Sequence, residues 1–309
     1  MPERLRKLHR EMAVRGVDVL ALRCTPNYTY AGAAGPCIVR AGSEELGTYD
    51  ALRDFAARGA VVAADDLPPG LLDVPAVDAE EIVAAAKICK TPAEVARIRR
   101  AHQINEDALR GVAPEPGMHQ DDLTERFLKR IAELGATENI VEPIWQIADR
   151  AQPLLFPLVG QDLRFGDGDL VVVDTGISFE GYASDYGRTW GARREHFDAW
   201  RDVTDAVLAA IRPGATGLDL VRAAGLWDGH KPWLDHLYLA HGTGTASAEM
   251  PLIGTDRGEA FDESIVLAPG MVLVLEPVIW AVGEGGYRAE ETVLVTDGGY
   301  EMLSESVTW

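Results

Sequence analysis

Asp174, Asp185, His241, Glu276 and Glu290 follow one another through the second half of this 309-residue chain, each in a setting that suits a metal ligand. Asp174 closes the apolar run Leu170-Val171-Val172-Val173, and Asp185 comes eleven residues later in Gly181-Tyr182-Ala183-Ser184-Asp185. His241 opens His241-Gly242-Thr243-Gly244, Glu276 ends Val272-Leu273-Val274-Leu275, and Glu290 follows Tyr287-Arg288-Ala289. Three of the four carboxylates close or interrupt apolar, strand-like segments, where a buried charge without a partner is costly. Together they carry a formal charge of about −4, which two divalent cations neutralise; such ions, about 3.5–4 Å apart, can share one nucleophilic hydroxide. Mostly oxygen with one nitrogen, the donor set suits Mn, Co, Fe or Zn better than copper or a thiolate-bound metal. Taken singly, each residue also fits a turn, a strand end or a surface ion pair. The chain has no His-Glu-x-x-His, Gly-x-Ser-x-Gly, Walker loop or Gly-x-Gly-x-x-Gly, so other hydrolase and nucleotide-binding readings lack support.

The elements that must position these residues read as α/β. Residues 3–15 have helical apolar spacing, with Gly16 just beyond. Val17–Leu22, Cys37–Arg40 and Ala60–Ala63 read as strands, with a helix near 44–57 between the last two. A Pro-, Gly- and Asp-rich stretch at 65–70 precedes a helix near 78–88, and Thr91-Pro92-Ala93-Glu94 opens another with capping chemistry. Further on, a helix is expected from His119 to Leu134, stopped by Gly135, then strands near 139–147 and 170–190 and helices near 195–212 and 217–227. Paired strands near 271–280 and 286–296 carry the last two candidate ligands.

Composition narrows the function classes. Apolar residues make up 47% and charged residues 25%, as in ordinary globular domains. A net charge of −20 disfavours nucleic acid and anionic membrane as partners, because phosphate would be repelled. Three scattered cysteines, Cys24, Cys37 and Cys89, make neither a disulfide framework nor a zinc knuckle. The N-terminal MPERLRKLHREM has no apolar core of a signal peptide, and no apolar run approaches membrane-spanning length; a cytoplasmic protein is expected.

At VVVDTGISFEGYASDYGRTW, HGTGTASAEMP, LVLEPVIW and YRAEETVLVT the chain resembles the creatinase, prolidase, aminopeptidase P and methionine aminopeptidase family, the pita-bread metallohydrolases. The resemblance implies a pita-bread catalytic domain over residues 88–309, entered at Lys90-Thr91-Pro92, behind a small creatinase-type α/β N-terminal domain over 1–87. It implies that Asp174 binds one metal, His241 with Glu276 the other, and that Asp185 and Glu290 bridge both. It also implies a homodimer and a peptide or small-molecule amide substrate, as in Xaa-Pro aminopeptidases and dipeptidases, attacked by a metal-bridging hydroxide.

Two family features are missing. Where the peptidases carry a second histidine seven residues after the ligand histidine, this chain has Ala248; where they carry one about eighteen residues before the first aspartate, it has Phe156. Those imidazoles, by resemblance, handle the scissile amide. Candidate replacements are Glu249 as a general acid or base beside Ala248, with Glu276 as a second proton carrier, and His236, five residues before His241. Trp190, with Phe156, Trp145 and Trp280, fits an aromatic substrate pocket as well as core packing, and Arg288 is placed to orient Glu290 or Asp185. A lyase or specialised-metabolite hydrolase on the same scaffold is the alternative enzyme reading. A non-catalytic binding module is the third, and it has little need of five metal ligands.

Overall fold

The protein is described from a computed structural model covering residues 1–136, 138–152 and 164–305, with residues 138–144 given by their backbone alone. It divides into two compact units, Met1–Thr91 and Pro92–Trp309.

In the first unit, α1 (Glu3–Val14), β1 (Val19–Leu22), α2 (Thr25–Ala31), β2 (Cys37–Arg40) and α3 (Leu52–Ala57) are followed by β3 (Val62–Ala64), β4 (Val77–Asp78) and α4 (Glu80–Lys87). The sheet runs β2-β1-β3-β4, with β1 antiparallel to β2 and parallel to β3. Alternation along β1 divides its side chains between two buried faces. Leu20 and Leu22 pack with Leu5, Leu8 and Met12 of α1 and Ile82, Val83 and Ala86 of α4, whereas Val19 and Ala21 pack with Leu52 and Val74. A sheet covered on both faces explains why β1 is apolar at every position. The helix expected over 44–57 is present only from Leu52, after a short 3₁₀ turn at Tyr49–Ala51. Its first half is drawn into the sheet: Gly47 exchanges backbone hydrogen bonds of 3.0 and 2.9 Å with Ile38. A Cβ at Gly47 would strike the Ile38 side chain.

The second unit begins with α5 (Pro92–Arg110), α6 (Gln120–Leu134), β5 (Glu138–Ile147), β6 (Val171–Phe179), β7 (Tyr182–Ala183) and β8 (Tyr186–Trp190). Then come α7 (Arg194–Ala210), α8 (Gly217–Ala224), β9 (Ala240–Gly242), β10 (Glu249–Ile253) and α9 (Glu259–Ser264). It ends with β11 (Val272–Leu275), β12 (Val278–Ala281), β13 (Gly285–Arg288), β14 (Glu291–Thr296) and β15 (Gly299–Met302). Pro92 opens α5, where a missing N–H costs nothing, and His119 caps α6 in a reciprocal box with Asp122 before Gly135 ends it at φ 92°. β6 pairs antiparallel with β5, β8 and β7. A second antiparallel sheet runs β10-β9-β11-β14-β15, and β12 and β13 form a separate hairpin. The two long strands expected near 271–280 and 286–296 are thus each broken, at Glu276-Pro277 and at Ala289-Glu290. Pro277 cannot donate to a ladder, so the chain leaves the sheet for the hairpin beside Glu276, and it returns to the sheet beside Glu290. Among the described residues no helix is long and apolar enough to cross a membrane.

Candidate metal centre

Asp174 and His241 lie within strands, while Asp185, Glu276 and Glu290 lie in the links between strands. Asp174 lies on β6 opposite Gly187 of β8, and Asp185 occupies the link between β7 and β8. A Cβ at Gly187 would come within 3.0 Å of the Glu290 carboxylate, so the glycine admits Glu290 beside Asp174. His241 is central in β9, opposite Val274 of β11, and the Glu276 N–H donates to Leu239 O at 3.0 Å. A Cβ at Gly242 would run into the carbonyl oxygens of Met250 and Glu249, so only glycine lets β9 and β10 close on one another. Asn105 of α5 ties the aspartate segments together. It donates to Thr175 O at 3.2 Å and Ser184 Oγ at 3.0 Å, and accepts from Thr175 Oγ1 at 2.9 Å. Thr175 and Ser184 are the neighbours of Asp174 and Asp185.

The result is a buried acidic cage. Ligand-type oxygens of Asp174, Asp185 and Glu290 lie within 4.8 Å of one another. His241 Nε2 is 3.5 Å from both Asp185 Oδ2 and Glu276 Oε1. Its other nitrogen, Nδ1, lies 2.9 Å from Gly242 O. A carbonyl only accepts, so Nδ1 carries the proton and Nε2 turns its lone pair to the carboxylates, the tautomer a metal-ligating histidine needs. Arg288 Nη2 donates to Asp174, Glu276 and Glu290 at 3.0, 3.0 and 2.7 Å. It therefore meets Glu290, as expected, and two further carboxylates besides.

Charge in this space is not balanced. Were all four carboxylates ionised, one guanidinium would leave an excess of about three negative charges in a low-dielectric pocket. Burial, then repulsion from Glu290, Asp174 and Glu276, holds the Asp185 carboxyl well above the carboxylate range. Burial and Asp174 do the same to Glu290, and burial raises Glu276 against the opposing pull of Arg288 and His241. Among the described residues, Asp174 Oδ1 and Glu290 Oε2 are buried oxygens with no hydrogen-bond donor. Orphaned acceptors, excess negative charge and an imidazole lone pair aimed inward are what divalent cations require, so the residues fit a metal site.

The remaining candidates are placed differently. Ala248 is half-buried and offers a methyl group, while half-buried Glu249 heads β10 opposite Gly242. Phe156 lies outside the described residues. Trp190 stacks on Trp145 at 5.8 Å, packing with the core around α5 and α6, and Trp280 donates to Gln152 O at 2.7 Å. His236 is not brought to the cage: its ring is 88% exposed and meets Asp256 at 2.5 Å. Asn105, Gly187 and Tyr238 were not singled out by the sequence. Asn105 sits within an ordinary helical pattern, and Tyr238 lies three residues before His241 in no motif.

A mixed α/β unit whose strands and strand links converge on such a cage defines the pita-bread class of metallohydrolase scaffold. The chain belongs to the metallopeptidase family M24, whose pattern matches residues 96–297. The Xaa-Pro aminopeptidase of Escherichia coli is 26% identical over 270 residues, covering 75% of this chain and 59% of that protein. The Xaa-Pro dipeptidase of Pyrococcus furiosus is 29% identical over 238 residues, covering 74% and 66%. The chain thus spans about three fifths to two thirds of the length of these relatives. The prolidase structure from Pyrococcus horikoshii superposes with a TM-score of 0.80 over 99% of both chains at 22% identity. The X-Pro aminopeptidase structure from Thermotoga maritima gives 0.78 over 98% of both at 18%. These likenesses show the fold.

Proposed function

We propose that this chain is a two-metal hydrolase of a peptide or another small amide. The observation that carries this reading is the convergence of Asp174, Asp185, His241, Glu276 and Glu290 in one space with a formal charge excess of about −3 once Arg288 is counted. In this reading Asp174 holds one ion, His241 with Glu276 the other, and Asp185 with Glu290 serves both. When bound, two divalent ions (Mn, Co, Fe or Zn) supply Lewis acidity toward the scissile carbonyl and acidify the attacking water. The chain's own groups do the rest. Arg288 keeps three carboxylates oriented, the Nδ1 bond to Gly242 fixes the His241 lone pair, and Glu249 or Glu276 carries the proton to the leaving amine. The E. coli and P. furiosus relatives named for Xaa-Pro substrates support the amide class.

Ala248 favours a second reading beside this one, a non-peptidase metalloenzyme on the same scaffold, because a methyl group cannot polarise an amide. A panel of Xaa-Pro dipeptides and small amides separates the two. Residues 88–309 are the proposed catalytic domain behind an N-terminal domain of residues 1–87, in a cytoplasmic homodimer whose mass light scattering would measure. The metal assignment is tested by elemental analysis after loading with Mn or Co and desalting. About two ions per chain are expected in the wild type and none in Asp185→Ala, since a shared carboxylate serves both. Undiminished metal in that variant would sink the assignment.

A further inference from the structure

We infer that Arg188 is a positioning residue for the metal centre, bracing from behind the two carboxylates, Glu290 and Asp185, that serve both ions in the reading above. The role rests on that reading and adds to it a side chain that itself meets no metal. Alternation along β8 sends Tyr186, Arg188 and Trp190 to one side of the strand and Gly187 to the other. Tyr186 and Trp190 pack with Ala101 of α5 and Phe127 of α6, whereas a Cβ on Gly187 would come within 3.0 Å of the Glu290 carboxylate. Arg188 therefore leaves β8 on the face opposite the cage.

The segment Arg288-Ala289-Glu290 meets β8 at a seam held by few backbone bonds. β8 is paired to β6 and β13 to β12, so no ladder between β8 and β13 fixes the ligand segment. Thr189 Oγ1 donates to Arg288 O at 2.5 Å and accepts from the Arg288 N–H at 3.1 Å. The Glu290 N–H donates to Gly187 O at 3.3 Å, longer than the usual separation. Arg188 closes the same junction with one nitrogen: Nη1 donates to Gly187 O at 2.7 Å and to Glu290 O at 2.9 Å. Nη2 reaches Glu305 O at 3.5 Å. Bonds from a cation are stronger than neutral ones, so the guanidinium is the firmer tie across the seam. Its central carbon lies 3.5 Å from the centroid of the Tyr186 ring, which fixes the plane of the fork, and Tyr186 directly follows Asp185. One side chain thus grips the backbone of Glu290 and stacks on the neighbour of Asp185. A metal-binding constellation must be held to within about 0.5 Å by the groups around it, and this grip supplies that for the two shared ligands.

Arg188→Met keeps an unbranched chain over Tyr186 and removes the donors. Mn affinity of the full chain is measured by competition with a chelator, and the EPR spectrum of the Mn-loaded protein reports whether the two ions stay exchange-coupled through shared carboxylates. The expected result is Mn bound about 10–100-fold more weakly, with the coupled signal giving way to that of isolated ions. Arg188→Lys keeps the charge without the planar fork, so it should weaken binding likewise, and it serves if the Met variant does not fold. Arg110→Met removes a neighbouring arginine that bonds to Asp107 and Glu305 instead, and it should match wild type in both readouts. Mn affinity within about 2-fold of wild type and a retained coupled signal in the folded Arg188 variants would overturn the inference and leave the metal centre standing. Tighter Mn binding in Arg188→Met would overturn it too, by showing that the guanidinium acts only as a competing charge. So would an equal loss in Arg110→Met, the mark of a general disturbance of this region. Wild type that takes up no metal would overturn the reading beneath, and the inference with it.

Discussion

Glu106 gives a pH dependence whose sign and size follow from its place on α5. Its side chain is 4% exposed and accepts the Glu305 N–H at 2.7 Å, with Arg188 and Arg110 as the cations that favour its charge. Burial outweighs these and lifts the carboxyl from 4.5 to about 7. A carboxyl raised on folding binds more protons in the native state, so this group contributes less to stability as pH climbs from the unfolded value toward the folded one. The span of roughly 2.5 pH units corresponds to about 3.4 kcal/mol, withheld fully above pH 7 and restored below about 4.5. Buried His102, one helical turn earlier, works in the opposite direction. Burial lowers it to about 3, so it withdraws stability as pH falls below its usual 6.5. The readout must therefore be a difference between two proteins. Glu106→Gln keeps an acceptor for the Glu305 N–H and cannot ionise. All seven tryptophans lie at or beyond Trp145, so fluorescence-detected urea unfolding reports on the second unit alone. With chelator present throughout, the variant should gain about 2.5 kcal/mol relative to wild type between about pH 5 and pH 8.5. Parallel pH profiles for the two proteins would refute the argument that burial controls this carboxyl.

Three further outcomes are expected. Asn105→Ala should cost about 2–4 kcal/mol in unfolding free energy, because it strands Thr175 and Ser184 groups in the core, and metal affinity measured by competition with a chelator should fall alongside it. Gly242→Ala forces a Cβ into two backbone carbonyls between β9 and β10. A destabilisation of about 1–3 kcal/mol or more in thermal unfolding, with displacement of His241 and reduced metal content, should follow. Ala248→His should raise turnover of Xaa-Pro dipeptides over wild type, on the order of 10²-fold if the imidazole reaches the developing oxyanion; equal turnover in the two would show that the position does not face the reacting amide.

The sequence alone determined the types of the candidate ligands, their order and their strand contexts, because backbone alternation and the cost of burying charge are local properties. It likewise specified Pro92 at the start of α5 and Gly135 at the left-handed stop of α6, which act within a few residues of themselves. What it could not determine was which residues would be neighbours across long separations. Asn105 reaches residues 70 and 79 positions away, and Arg288 meets a carboxylate 114 positions away, contacts fixed by strand register and helix docking rather than by any local pattern. The helix expected from residue 44 lost its first half to a pairing with Ile38 for the same reason. His236 and Tyr238 make the point most sharply. Two residues apart, and both polar groups near His241, they diverge because a left-handed turn at His236, φ 64°, carries its ring out to Asp256 while the chain entering β9 lays Tyr238 on His241.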